Sequence, residues 1–335
     1  MSDYSTRIIR STHDLPENQW NTVLSDSEYS TVYHKIGYLK AIEDGLDKRA
    51  AHVLAYKNDN LIGLLPNSIA PVGKGTPFDR LVSLQPGAGS FVLTGNELRV
   101  LKELCDAIHE FAGGKLVSQT IRADPPEHLL INHYLRDLGY RAVPGANFEL
   151  NLNQGWENIK QGMSKDRRYD LRRAEDQSYK IKDKKLTQES LNSFYDRYMS
   201  KMDEINGQIK SKSFFKTLFE DLESNVKLFT AHIDGECRGF HFYLLDKFQS
   251  TMRHQYMAVM REDFEYYPGE LLHKHAINWA ISEGFDNYNF GGGKADLRGG
   301  TTKYKRQYGG ELVPFMTWEK EFSSVYKLGR YIYRR

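Results

Sequence analysis

The chain has 335 residues, which at roughly 150 residues per domain implies two domains, each long enough to bury a core. Hydrophobic residues make up 40% and charged residues 27%, values that exclude a disordered chain, and no uninterrupted apolar run approaches the roughly 18 residues of a membrane span. Forty-six Lys and Arg against 44 Asp and Glu leave a formal charge of +2, which excludes a bulk nucleic-acid binder and confines any polyanion site to a local surface.

In chain order, residues 7–10 read as a strand, and Leu15-Pro16 opens a helix to about residue 24, with Pro at the first helical position. A second helix covers 37–45. Segments 51–56 and 61–70 form a hairpin around Asn58-Asp59-Asn60, and a third strand lies near 81–84. Val100, Leu101, Leu104, Ala107, Ile108 and Phe111 recur at three and four, so 96–112 is an amphipathic helix stopped by Gly113-Gly114. A strand at 116–122, a helix at 127–138 and an extended stretch at 140–152 follow.

The second half repeats that order. Helices at 190–202 and 213–222 precede a hairpin of 226–233 and 238–245 around Asp234-Gly235 and a third strand at 250–259. Pro268 starts a helix that Gly284 ends, followed by a strand at 285–290, a Gly-rich turn, a short helix at 301–308 and a last strand at 311–318. The two series suggest an internal duplication without residue identity, divided near Asn153-Gln154-Gly155. The expected organisation is a first domain of 1–152, a second of 153–318, and a segment 319–335 that packs back on the first domain or on the interface.

Charge is unevenly spread. Residues 156–185 hold ten Lys or Arg against six acids, and 294–310 hold five against Asp296 alone. These are the candidate polyanion surfaces, with a solvated helix face as the plain alternative for the first. Gly291-Gly292-Gly293-Lys294 lacks the spacing of a P-loop. His273 and His275, two apart on one helix, point to different faces, and His232, His241 and His254 lie on strands as core or groove residues, so no metal is expected. No nucleophile elbow or Cys-His signature is present, which disfavours a covalent acyl-enzyme. Only Cys105 and Cys237, far apart, fit a reducing compartment, and the polar start Met1-Ser2-Asp3-Tyr4 lacks the apolar segment of a secretory signal, so a cytoplasmic protein is expected.

Each series resembles the GNAT acyltransferase fold, an α/β fold with mixed sheets. A tandem pair in this length resembles the Fem family of tRNA-dependent aminoacyl transferases in its compact, FemX-like form. The most specific part is Phe290-Gly291-Gly292-Gly293 followed by 300–309, where Tyr304-Lys305 and Tyr308-Gly309 match an aromatic-Lys pair before a Phe-Gly-like step, with Tyr in place of Phe. Gly37-Tyr38-Leu39-Lys40, Arg122-Ala123-Asp124-Pro125, Lys210 before Phe214-Phe215, and the basic helix at 165–173 add support. CoA-dependent members cradle a pyrophosphate on a Gly-rich loop between the third meander strand and the next helix. Here that stretch, 260–269, has one Gly and three acids, and Gly73-Lys74-Gly75-Thr76 reads as a surface loop. Helices between 190 and 222 are too short for the coiled-coil insertion of larger members.

The resemblance implies an aminoacyltransferase that moves an amino acid from aminoacyl-tRNA to an amine of a peptidoglycan-precursor peptide, UDP-linked or lipid-linked, or to another amine. Aminoacyl-tRNA is the co-substrate and no cofactor is needed. Lys305 is the expected oxyanion stabiliser. Asp124, at the carboxyl end of a central strand, would orient the amine, with helix capping as the alternative. Lys40 and Lys210 would hold a diphosphate, with Arg122 and Tyr304 also on the substrate. Lys165, Arg167, Arg168, Arg172, Arg173 and Arg306 would meet tRNA phosphates. A monomer is expected, and peripheral membrane contact stays open. Two rival readings remain: a CoA-dependent N-acyltransferase of the same fold, and a tRNA-binding protein without turnover.

Overall fold

The structure is a computed structural model that describes residues 4–73, 75–84, 86–123, 130–293, 300–324 and 326. It divides into two compact units, one of Met1–Pro144 with Phe315–Arg335 and one of Gly145–Pro314. Both divisions fall inside strands, at 144/145 and 314/315, rather than at 152/153 and 318/319. Among the described residues, no helix is long and apolar enough to cross a membrane.

In the first unit the order is β1 (Tyr4–Ile9), α1 (Glu17–Asp26), α2 (Ile36–Gly45), β2 (Arg49–Ala50), β3 (His52–Lys57), β4 (Asn60–Leu65), β5 (Ser68–Pro71), β6 (Asp79–Ser83), β7 (Val92–Leu93), α3 (Glu97–Phe111), β8 (Leu116–Ala123), α4 (Asn132–Asp137) and the start of β9 (Arg141–Asn151). Strands β1, β3, β4 and β7 pair in that order, all antiparallel. In the other sheet β8 runs parallel to β6, which continues through β5 to β2.

The single strand expected over 61–70 is two, in different sheets. Pro66 has no N–H to give a ladder, and the buried Asn67 turns its side chain back onto the Leu65 carbonyl at 3.1 Å, so the chain changes sheet there. Helix α3 matches its periodicity: Asn96 caps it by accepting from the Arg99 N–H at 3.2 Å, and Val100, Leu101, Leu104 and Ile108 are buried. It packs so close to β4 that a β-carbon on Gly63 would come within 2.2 Å of Val100 Cγ1.

The second unit begins in β9 and continues with α5 (Gly155–Gly162), α6 (Lys165–Glu175), β10 (Tyr179–Asp183), α7 (Gln188–Glu204), α8 (Lys212–Asp221), β11 (Val226–Ile233), β12 (Glu236–Asp246), β13 (Thr251–Ala258), α9 (Pro268–Ser282), β14 (Asn287–Gly293), α10 (Gly300–Arg306) and the start of β15 (Glu311–Glu321). The sheet order is β10-β11-β12-β13-β14-β9. Asp234 and Gly235 at φ +50° and +85° make the tight turn between β11 and β12 that an Asp-Gly pair favours. Strands β13 and β14 run parallel, as a crossover through α9 requires.

The last strand of each series therefore joins the other unit. Asn151 to Ala146 of β9 pair with Asn287 to Gly293 of β14 in the second unit, and Met316 to Glu321 of β15 pair with Ala123 to Ser118 of β8 in the first. Trp318 is buried in the first unit's core and Phe148 in the second's. The described part of 319–335 lies with the first unit, where the Phe322 N–H donates to the Val117 carbonyl at 2.8 Å.

Candidate active site

In the second unit the ladder between β13 and β14 is short. Thr251, Met252 and Arg253 pair with Asn287, Tyr288 and Asn289, and among the described residues no further pair follows. Beyond it Gly291 adopts φ +77°, a left-handed conformation that glycine reaches without strain. The Lys305 ammonium, from α10, donates to the carbonyls of Gly291 at 2.7 Å and Gly292 at 3.1 Å. A half-buried cation is thus fixed where two parallel strands part, and it satisfies backbone acceptors there.

The side chains around Lys305 form one group. Tyr304 and Tyr308, one helical turn apart, meet through their hydroxyls at 3.0 Å with ring centroids 5.3 Å apart. The Arg167 guanidinium of α6 lies 4.5 Å from the Tyr304 ring centroid and 5.2 Å from that of Tyr308. It also pairs with Glu270 of α9 and donates to Gln307 Oε1 at 2.9 Å. Burial pushes both phenols above the usual tyrosine range. Burial likewise pushes the Glu270 carboxyl up, and Arg167 pulls it back. Gly309 follows at φ +80°, where a β-carbon would lie 2.8 Å from the Gly162 carbonyl oxygen, so the Tyr-Gly step admits only glycine without distortion.

The fold has known counterparts. Residues 163–306 match the family model described as the acetyltransferase (GNAT) domain. The crystal structure of FemX superposes with a TM-score of 0.69 at 12% identity, covering 93% of this chain and 96% of that one. The chain has the FemX-like tandem GNAT fold. A tandem GNAT protein from the clavulanic acid biosynthesis pathway, solved without AcCoA, aligns with a TM-score of 0.60 at 12% identity over 95% of this chain and 98% of that one. The C-terminal domain of a putative lysylphosphatidylglycerol synthetase from Agrobacterium fabrum gives 0.60 at 11% identity over 96% and 95%. No curated protein matches the chain.

The stretch expected to cradle a CoA pyrophosphate in CoA-dependent GNAT members ends at the start of α9. Pro268 there has no N–H to offer, and the first turn is occupied by the buried Glu270 paired with Arg167. The preceding residues Arg261–Tyr266 form a 3-10 helix, in which the buried Asp263 pairs with Arg197 and Arg238. These residues do not fit a pyrophosphate. Beside them lies a cavity of about 430 Å³ lined by Met257, Val259, Phe264, Tyr304, Arg167 and Glu270.

The other expected site residues are distributed as follows. Lys165, Arg172 and Arg173 are exposed on α6, and Arg306 is exposed at the end of α10, lining a second cavity of about 300 Å³ with Ser164, Lys303 and Gln307. Arg167 is buried, sharing a helical stripe with Leu171 and Ala174, and its two terminal nitrogens donate to Glu270 and Gln307. Arg168 is half-buried and donates to the carbonyls of Gln161 at 2.8 Å and Met163 at 2.5 Å. Lys210, between α7 and α8, donates to Gln208 Oε1 at 3.0 Å, and burial lowers its pKa. In the first unit Lys40 is half-buried on α2, and the Arg122 guanidinium sits 4.0 Å from the Phe315 ring centroid. Asp124 lies outside the described residues.

Two features escaped the sequence reading. Glu270, the partner that buries Arg167, sits one turn into a helix with nothing local to mark it. The histidines dismissed individually include three that meet: His241 of β12, His254 of β13 and His273 of α9, with potential ligand atoms all within 4.8 Å of one another. Spacing within α9 does separate His273 from His275, whose ring packs edge-on to Phe229 at 4.8 Å. The signal lay in the hairpin register, which sets Tyr243 opposite His254 and leaves His241 diagonal to it.

Proposed function

We propose that the protein transfers an aminoacyl group from aminoacyl-tRNA to an amine, on a peptidoglycan-precursor peptide carried by UDP or lipid. The observation that carries this reading is the Lys305 ammonium held on the Gly291 and Gly292 carbonyls. The chemistry needs a positive group already in place when charge develops, because a preorganised donor spends no energy turning toward the oxyanion. The acceptor amine attacks the ester carbonyl carbon, forming a C–N bond and a tetrahedral oxyanion opposite Lys305. Collapse breaks the bond to the terminal ribose oxygen, which takes the proton that the amine loses. Asp124 orients the amine.

Transfer is direct. Burial pushes the Cys105 thiol up to about 12 and raises Cys237 as well, so neither offers a ready thiolate. Lys165, Arg172, Arg173 and Arg306 bind tRNA phosphates, and Lys40, Lys210 and Arg122 the acceptor's diphosphate side. The missing N–H of Pro268 and the lack of a Gly-rich loop before α9 support a donor other than acyl-CoA. A charged tRNA donor places the reaction in the cytoplasm.

The donor is tested by incubating the protein with charged tRNA pools or with acetyl-CoA, each with muropeptide acceptors, and weighing the products. The expected result is an aminoacyl mass increment on the acceptor that requires charged tRNA. An acetyl increment from CoA, or tRNA binding without any increment, overturns the reading.

A further inference from the structure

Three imidazoles converge inside the second unit. His241 and His273 are buried to within 1% of full cover, and His254 is half-buried with its Nε2 covered. Their ring centroids lie 4.4 Å (His241 to His254), 4.6 Å (His241 to His273) and 5.0 Å (His254 to His273) apart. The Nε2 atoms of His241 and His254 are buried and, among the described residues, have no hydrogen-bond partner. A buried ring nitrogen without a partner is costly, and two in one cluster call for an occupant.

An outer shell fixes the rings from behind. His241 Nδ1 meets the Tyr243 hydroxyl at 2.9 Å, His273 Nδ1 meets the Tyr288 hydroxyl at 2.6 Å, and Tyr288 donates to Tyr243 at 3.3 Å. When both imidazoles donate from Nδ1, their Nε2 lone pairs are left free, the arrangement of metal-bound histidines whose second nitrogen is held by an outer partner. Three histidines are the protein ligand set of one class of catalytic zinc site.

We propose that His241, His254 and His273 bind one divalent transition-metal ion, Zn²⁺ foremost. Imidazole is a ligand of choice for Zn²⁺, and ligands at 2.0–2.1 Å around a tetrahedral ion stand about 3.3 Å apart. The ligand atoms now lie within 4.8 Å of one another, so loading requires the rings to turn inward and spread slightly against their tyrosine partners. Burial, the largest cause for each, holds all three rings neutral at pH 7, the form that ligates. The charges that reach the cluster are cationic: Lys305 acts on His254 and His273, and Arg167 on His273. They oppose a second positive charge and favour an anionic fourth ligand such as hydroxide. The site stands independently of aminoacyl transfer, because it rests on the histidines and their tyrosine shell alone.

The test uses the full chain freed of metal by a chelator and titrated with Co²⁺ alone. One equivalent should develop the intense visible bands of a four-coordinate cobalt centre, and one equivalent of Zn²⁺ should remove them. His254→Gln, at the most exposed ligand, should abolish the bands while circular dichroism shows it folded, and His232→Gln on β11 should keep them. Tyr288→Phe leaves all three ligands and should weaken Zn²⁺ binding about 10- to 100-fold. Absence of bands in the unaltered protein, or full-strength bands in His254→Gln, overturns the proposal.

Discussion

Gly309 has the Gly162 carbonyl oxygen 2.8 Å from where its β-carbon would project, whereas Gly235, at a similar positive φ, has open space around it. Gly235→Ala therefore costs only the left-handed backbone, about 1–2 kcal/mol. Gly309→Ala adds a backbone clash and should cost about 1–3 kcal/mol more. Urea unfolding of the two variants checks the difference; equal losses would mean that the Tyr-Gly step tolerates a side chain. His52 gives a residue-scale pH prediction. Its Nε2 meets Thr12 Oγ1 at 3.0 Å, its Nδ1 accepts from the Asn67 N–H at 3.3 Å, and burial lowers its pKa to about 3. The folded ring stays neutral while the unfolded one takes a proton below about 6.5, so stability falls as pH drops from 6.5 toward 3, by up to about 1.4 kcal/mol per pH unit. Urea midpoints at pH 7, 6, 5 and 4 should show His52→Gln losing that part of the dependence. Arg167 teaches a related lesson: its place on a stripe with Leu171 and Ala174 was visible in the sequence, but counting charges along the run without assigning faces hid it.

Helix α6 shows the same division at the scale of an element. Arg167, Leu171 and Ala174 turn inward, which leaves Lys165, Tyr169, Arg172 and Arg173 on the outer face. Lys165, Arg172 and Arg173, with Arg306 on α10, are exposed cations that a phosphate backbone can meet, so replacing Arg172 and Arg173 by Ala should weaken tRNA binding without changing which tRNA is preferred. The log–log salt slope should drop by about 1.5–2 for the two charges. Filter binding at several salt concentrations reads both effects, and an unchanged slope would remove α6 from the RNA surface. Helices with clean three-and-four spacing, such as α3, were legible because one apolar face specifies them. The split of 61–70 into β4 and β5 was less so, since a proline within an apolar run marks a break but not which sheet receives each piece. Strand β10 (Tyr179–Asp183), mostly exposed and charged, pairs with β11 through its backbone and carries little alternation to reveal it.

For the molecule as a whole, the repeated order of elements was enough to expect two GNAT-like units, because each series must bury its own sheet and helices. Where the units divide was not legible. β9 and β15 each read as the closing strand of its own series, yet the pairing of Asn151 with Asn287 and of Met316 with Ala123 is long-range and leaves no local mark. The three histidines were hidden for the same reason: each comes from a different element, and only the folded sheet and its covering helix bring them together. Lys305 was legible through the motif around it, and the fold turns its ammonium inward onto two carbonyls. Whether that charge serves the reaction is measured most directly by the single-turnover rate of aminoacyl transfer at saturating charged tRNA, comparing the unaltered protein with Lys305→Met. The account predicts a fall of about 10²–10³-fold, the usual loss of one oxyanion donor, with tRNA affinity and thermal midpoint kept. An unchanged rate would contradict it and leave Lys305 as a latch on the end of β14.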